Sequence, residues 1–282
     1  MSQTFLETKQ EIWKRKESNS ILIAAHRGTY GGGIIPNTIH AYENALRHGA
    51  DILEIDAART RDGIFYSFHD GKEPAQLGTV RNIRTMDSSE VDQMHLRNTS
   101  FEDIAEKISK LDDVLEYLKG RCLINIDRSW FYWSDIIHLI KRHNMFDQII
   151  LKSPLRSEYL DPLESDGSPI MYMPIMYKQE EFELLQQSRV NTIAAELIFT
   201  SKDSPLISSD NIEKYHKSGL LLWANTVTLD DRTNLCAFCD DNHSILYGPD
   251  DYWGWLIRHG FDILQTDWPL LMKTYVQGLK QK

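Results

Sequence analysis

Eight apolar runs of strand length, separated by segments with helical spacing, limit the folds open to this chain of 282 residues. The runs are Ile21–Ala25, Ile52–Ala57, Cys122–Ile126, Gln148–Leu151, Ile170–Met176, Thr192–Ile198, Leu220–Ala224 and Phe261–Leu264. Helical patterns at Thr38–His48, Leu111–Leu118, Asp135–Arg142, Glu180–Gln187, Ser209–Lys217 and Tyr252–Arg258 lie between most of them. Runs that are continuously apolar are buried on both faces, which predicts parallel βαβ units. Eight units in this length predict an α/β fold, a closed (β/α)8 or TIM barrel over residues 21–282, in preference to a doubly wound sheet. Two links, Arg156–Ser168 and Asp230–Asp250, lack clean helical spacing and read as irregular. Residues 1–20 read as a charged amphipathic helix that caps the barrel bottom or joins a partner.

A ninth run, Ile64–His69, follows the second strand after only Arg61-Asp62-Gly63. Asp-Gly between extended runs is a strong hairpin signal. With Asp62 and Gly63 as the two central turn residues, Asp56 faces His69 across the ladder and their side chains share a face. A three-residue loop would shift that pairing by one. Residues 71–109 then delay the next helix and read as a small inserted subdomain beside the barrel mouth.

The chain carries 31 Lys+Arg against 41 Asp+Glu, a net charge of −10. Nucleic-acid binding would need a basic face, so that class is excluded. No run approaches the roughly 18 apolar residues of a membrane span, and residues 1–20 lack the apolar block of a signal peptide. Three cysteines fit a reducing compartment, so the expected location is cytoplasmic. Cys236 and Cys239 form a C-x-x-C near His243, but a structural zinc wants four ligands; the pair reads as incidental thiols in a surface segment.

In such a barrel the working residues sit at the C-terminal ends of strands. Polar residues there include His26 and Arg27, Glu54 and Asp56, Asn125 and Asp127, Lys152, Glu196, Trp223 and Asn225, and Asp267. Glu54 and Asp56 are two apart and share a strand face, and Asn125 and Asp127 repeat the spacing on the next parallel strand. Three carboxylates can thus converge and repel one another. One divalent cation, Mg²⁺ or Ca²⁺, would relieve this through oxygen ligation; a buried ion-pair cluster with Arg27, Lys152 or Arg128 is the competing explanation. His26 and His69 beside them suit an acid–base pair. Arg27 and Lys152 suit an anionic substrate. Metal, two histidines and two cations together describe phosphoryl chemistry.

At these residues the chain resembles the glycerophosphodiester phosphodiesterase family, relatives of the phosphatidylinositol-specific phospholipases C. The resemblance runs through His26-Arg27-Gly28, Asn37-Thr38, Gly49-Ala50-Asp51, Glu54-Ile55-Asp56, Thr60-Arg61-Asp62-Gly63, His69-Asp70-Gly71, Gly260-Phe261-Asp262 and Thr266-Asp267-Trp268-Pro269. It implies a barrel with an insertion after the second histidine motif, a metal held by Glu54, Asp56 and Asp127, and His26 and His69 as catalytic residues. The family usually has Pro-Glu-Asn-Thr where this chain has Ile35-Pro36-Asn37-Thr38, and Asn-Ile-Glu-x-Lys where it has Asn125-Ile126-Asp127-Arg128-Ser129. Lys152 on the adjacent strand is the expected substitute for the missing lysine. Arg128 should point away from the barrel interior. The implied activity is metal-dependent hydrolysis of a small-molecule glycerophosphodiester to an alcohol and glycerol 3-phosphate, a step of lipid metabolism. His26 is expected to take the proton from the nucleophile and His69 to protonate the leaving alcohol, with the two roles interchangeable at this level. Trp223 and Glu196 are expected to contact substrate, although Glu196 has a salt bridge to Lys152 as an equal alternative. Other readings are a lyase forming a cyclic phosphate, which should expose apolar residues for membrane docking, and a catalytically silent barrel that binds a phosphorylated ligand.

Overall fold

The computed structural model describes residues 4–280. Its strands are β1 (Leu22–His26), β2 (Ile52–Arg59), β3 (Phe65–Ser67), β4 (Leu123–Asp127), β5 (Ile149–Pro154), β6 (Met171–Met176), β7 (Ala194–Leu197), β8 (Leu221–Asn225) and β9 (Ile263–Thr266). Eight pair in parallel in the order β1-β9-β8-β7-β6-β5-β4-β2, and a β1–β2 pairing closes the ring. The fold is a (β/α)8 barrel with β3 outside it. Several strands run further than the apolar pattern predicts, through the polar residues His26, Asp127, Asn225 and Thr266 at their C-terminal ends.

Alternation along the strands explains why the mouth is polar. Leu22 and Ala24, Ile52, Leu123, Ile150, Trp223 and Ile263 point inward and pack as one interior cluster. Their neighbours, such as Ile23, Leu53, Ile124 and Leu264, pack outward against the helices. Two residues further on, the inward rows of β1, β2, β4 and β5 reach His26, Glu54 then Asp56, Asn125 then Asp127, and Lys152. The other end is sealed by the helix Phe5–Ser18, whose Ile12 is fully buried among the interior residues. Thr8 donates to the Pro169 carbonyl (2.9 Å) and Lys9 to that of Thr192 (2.9 Å), fixing the helix across the loops that enter the strands.

The β2–β3 hairpin differs from the expected register. Ala57 pairs with Ser67, Ala58 with Tyr66 and Arg59 with Phe65, so the loop has three residues and Asp56 lies opposite Phe68, not His69. Gly63 at φ 91° takes the left-handed position that a three-residue loop requires. Residues 71–109 build a small apolar cluster of their own, including Leu77, Ile83, Met86, Val91 and Leu96, against Ala58, Tyr66 and Phe68. Buried Glu73 ties the segment together, accepting from the backbone N–H groups of Gly71 (2.6 Å) and Ile83 (2.8 Å).

Three other expectations need correction. Residues Ser157–Asp166 form a helix despite Pro162, because Leu160 and Leu163 bury one face. The Asp230–Asp250 link is irregular only in part, since Asp240 caps a helix at Asp241–Tyr247. Cys236 and Cys239 are not surface thiols: both are free and buried in the outer core, on a tight turn with Ala237 and Phe238 at positive φ. Among the described residues, no helix is long and apolar enough to cross a membrane.

Candidate active site

Register places three carboxylates at the mouth. Glu54 pairs with Asn125 and Asp56 with Asp127 across β2 and β4. Oxygens of Glu54, Asp56 and Asp127 all lie within 4.8 Å of one another. Asp56 has the fullest set of partners. Asn37 Nδ2 donates to its Oδ2 (2.9 Å), and Arg27 Nε lies 2.8 Å from the same oxygen as an ion-pair contact. Burial pushes Asp56 up, but Arg27, His69 and the Asn37 bond outweigh this and hold it below the usual carboxylate range. Glu54 is buried as deeply and, among the described residues, accepts only from the Arg27 backbone N–H (3.1 Å). Burial first, and repulsion from Asp56 second, push it up to about 7.

The turns that deliver these groups are strained. Arg27 (φ 58°), Asn37 (φ 63°) and Arg128 (φ 60°) all occupy the left-handed region that side chains avoid. Gly28 next to Arg27 has no alternative, since a Cβ there would sit 2.6 Å from the Ala41 carbonyl carbon.

The histidines differ in their surroundings. His26 Nδ1 donates to Asp267 Oδ1 (2.8 Å), which the Tyr30 hydroxyl also approaches (3.3 Å). Burial opposes the imidazolium, but the Asp267 bond and the charge of Glu54 prevail, and the pKa rises above 6.5. Behind this pair lies Asp241, fully buried, taking the Asp267 backbone N–H (2.8 Å) on one oxygen and the Thr226 (2.7 Å) and Thr266 (2.9 Å) hydroxyls on the other. Its burial, followed by repulsion from Asp267, pushes it up to about 7. His69 Nδ1 donates to the Asp70 backbone carbonyl (2.8 Å), and burial lowers its pKa below 6.5 against the pull of Asp56.

Lys152 is almost wholly buried, with Nζ 3.1 Å from Asp127 and 3.3 Å from Glu196. Burial opposes its charge, yet Asp127 and Glu196 raise its pKa well above the ordinary lysine value. Arg128 turns outward to Asp70 Oδ1 (2.8 Å), and Arg84 of the inserted segment holds Asp70 Oδ2 (3.0 Å). The Asp70 carboxylate is therefore committed outside the barrel. Trp223 lies fully buried in the barrel interior, its indole N–H bonded to Gln265 (3.1 Å), so it presents no surface at the mouth.

The sequence residues Glu54, Asp56, Asp127, His26, His69, Arg27, Lys152 and Glu196 thus gather at one end of the barrel. Sequence reasoning did not assign the partners Asp267, Asn37 and Asp241. Asp267 and Asn37 stand in the quoted motifs, whereas Asp241 lies in a link without periodic signal. The donor set suits a divalent cation: the cluster is all oxygen, and the buried amide oxygen of Asn125, in register with Glu54, has no partner among the described residues. A groove of about 660 Å³ lies outside the barrel, lined by Arg59, Lys110 and Arg142 among others, and holds none of these groups.

Residues 26–134 match the family model described as the glycerophosphoryl diester phosphodiesterase family, and residues 172–276 match a domain of unknown function. The chain is 39% identical over 71 residues to lysophospholipase D GDPD3 of Mus musculus, covering 25% of this chain and 21% of that one. Such matches span 21% to 57% of the curated relatives' own length. The fold is that of a glycerophosphoryl diester phosphodiesterase from Parabacteroides distasonis, with a TM-score of 0.75 at 18% identity, covering 92% of this chain and 87% of that one. It is also that of an Oleispira antarctica phosphodiesterase in complex with the product sn-glycerol-3-phosphate, with a TM-score of 0.65 at 16% identity, covering 93% and 97%.

Proposed function

We propose that the chain, whose residues 26–134 match the glycerophosphoryl diester phosphodiesterase family model, hydrolyses glycerophosphodiesters to glycerol 3-phosphate and an alcohol. The observation that carries this reading is the convergence of Glu54, Asp56 and Asp127 within 4.8 Å, flanked by two histidines in opposite protonation tendencies. Glu54, Asp56 and Asp127 would hold one Mg²⁺ or Ca²⁺, which when bound supplies charge stabilisation to a phosphoryl oxygen. Arg27 orients the phosphodiester from the β1 side and Lys152 keeps Asp127 and Glu196 in place. Glu196 also accepts from Asn225 Nδ2 at the end of β8 (3.1 Å).

His69, kept neutral by burial, is the better base. Its Nδ1–H is spent on the Asp70 carbonyl, which leaves Nε2 with the lone pair. His26, whose protonated form Asp267 and Glu54 favour against burial, is the better acid for the departing alkoxide. This order is the reverse of the one expected from the sequence. Trp223 could act on substrate only through the shape of the barrel floor. The protein would work in the cytoplasm on small diesters, with lysoglycerophospholipids a natural second test set given the name of the mouse relative.

The test is metal-stripped protein assayed on glycerophosphocholine, glycerophosphoethanolamine and a lysoglycerophospholipid, with Mg²⁺ or Ca²⁺ added back. Metal-dependent glycerol 3-phosphate, or its acylated form from the lysolipid, is the expected result. A cyclic phosphate in its place would identify a lyase. Binding of a phosphorylated ligand without turnover would favour the silent barrel, a reading supported by Arg27 and Lys152 already contacting two of the three carboxylates.

A further inference from the structure

The pair formed by His26 and Asp267 spans a seam that the barrel ladder does not hold. Between β1 and β9 the last partners in register are Ala25 and Thr266, so on this seam each member of the pair stands one residue beyond the final rung. β8 gives no more support, since its last partner on β9 is Gln265. Packing does not fix Asp267 either. A cavity of about 230 Å³ lies against it, bounded by Thr29, Tyr30, Thr228, Asn242 and Trp268 as well as by Asp241. The Asp267 side chain is 22% exposed, and the Tyr30 hydroxyl reaches it only at 3.3 Å.

What holds this stretch is Asp241. Its Oδ2 takes the Asp267 backbone N–H (2.8 Å), and its Oδ1 takes the Thr266 hydroxyl (2.9 Å). The Thr266 oxygen in turn accepts the Trp268 backbone N–H (2.9 Å). Three consecutive residues at the end of β9 are therefore oriented from one carboxyl group. Asp241 is anchored from β8, where its own backbone N–H donates to the Thr226 carbonyl (2.7 Å). Its Oδ1 also accepts from the Trp253 indole N–H (3.1 Å). Each oxygen thus faces an N–H that can only donate, so a carboxamide there would set its NH₂ against a donor whichever way it turned. Asp241 is fully buried and, among the described residues, has no ion-pair partner. A carboxyl group buried without a counter-charge is costly, and a purely packing role would be met by an apolar side chain without that cost.

We propose that Asp241 is a positioning residue, which holds Asp267, and through it the His26 imidazole, for proton transfer to the departing alcohol. The rate consequence rests on the phosphodiesterase reading, whereas the positioning does not. Asp241, Trp253, Thr226 and Thr266 all lie in residues 172–276, so the stretch matched to a domain of unknown function supports a histidine that lies in the family-matched part.

Proton NMR of the full chain reads the positioning directly, through the deshielded Nδ1 proton that His26 shares with Asp267, assigned by its loss in His26→Ala. Asp241→Asn should shift that signal or broaden it away. On glycerophosphocholine the same variant should lose about 10- to 100-fold in kcat, the range for partners of an orienting group, with KM little changed. It should lose far less on a p-nitrophenyl diester, whose leaving group needs no acid. A role in stability alone would lower both rates together. Thr266→Val, which keeps a β-branched side chain and removes one link, should show the same pattern at smaller amplitude, and Thr266→Ser should restore the rate. An unmoved His26 proton in Asp241→Asn overturns the proposal, as do equal losses on the two diesters. A shifted proton in a protein that turns over no diester leaves the positioning standing and removes the phosphodiesterase reading.

Discussion

Glu54 and Asp241 are buried carboxylates that both hold a proton up to about pH 7. In the unfolded chain they would release it near their ordinary values of 4.5 and 3.8. Between those values and about 7 the folded state binds more protons, so stability must fall as pH rises, by about 1.4 kcal/mol per pH unit per group. His26, with its pKa raised, adds stability below 6.5 that is lost as pH rises through the folded value, the same direction. Urea unfolding of chelator-treated protein between pH 5 and 7 should show this decline, and Asp241→Asn should flatten it. The same substitution replaces the acceptor of the Asp267 N–H, so it should also move the pH–rate profile that His26 governs. A metal must displace the Glu54 proton, so affinity should drop as pH falls through about 7, and titration calorimetry of Glu54→Gln should lose that dependence. The histidine order has its own check. His26→Ala should lose roughly 10²–10⁴-fold on glycerophosphocholine and much less on a diester with a p-nitrophenyl leaving group, which needs no acid. His69→Ala should lose on both, and the opposite pattern would restore the order expected from the sequence.

Elements bring these residues together with tolerances that a pattern cannot express. Asp-Gly announces a hairpin, but whether its loop holds two residues or three depends on the Thr60–Ile64 bonds and on the twist of the strands. The one-residue difference moved His69 out of the ladder. It sits in the loop after β3 instead, where Asp56 acts on it through charge alone and burial favours its neutral form. The helix around Pro162 was hidden for a different reason. Its two buried leucines are the whole of its signal, and packing supplies the rest. Residues 71–109 depend on Glu73, whose two oxygens each take a backbone N–H. Glu73→Ala would strand both donors, a local cost of about 2–4 kcal/mol. Limited proteolysis should then cut this segment while the barrel core resists. Cleavage no faster than in wild type would mean that the apolar cluster alone holds it.

For the whole molecule, the division between a sealed end and a working end is the organising fact. The Phe5–Ser18 helix buries Ile12 in the interior cluster and packs against β6. Ile12→Ala should cost about 2–5 kcal/mol by loss of contact and a residual cavity, read as a lower urea midpoint with kcat unchanged. A drop in kcat at full stability would instead couple the floor to the mouth. At the other end, strain at Arg27, Asn37 and Arg128 and the charge of three carboxylates are concentrated together. Such costs are tolerable because the closed ring fixes the backbone on every side.

The barrel and its polar mouth were legible from sequence because both follow from local rules. Buried parallel strands must be continuously apolar, and side chains two apart must share a face. Those rules locate Glu54, Asp56, Asp127, His26, Arg27 and Lys152 without coordinates. They say nothing about which charge meets which, since that depends on strand stagger, turn length and rotamer. Ring closure sets Asp267 against His26 and Lys152 between Asp127 and Glu196. It also buries Asp241 where no periodic signal stood, and it takes Trp223 into the interior away from the mouth. Residue type and spacing thus determined the chemistry available, while tertiary contacts, through burial and paired charge, decided the protonation state of each group.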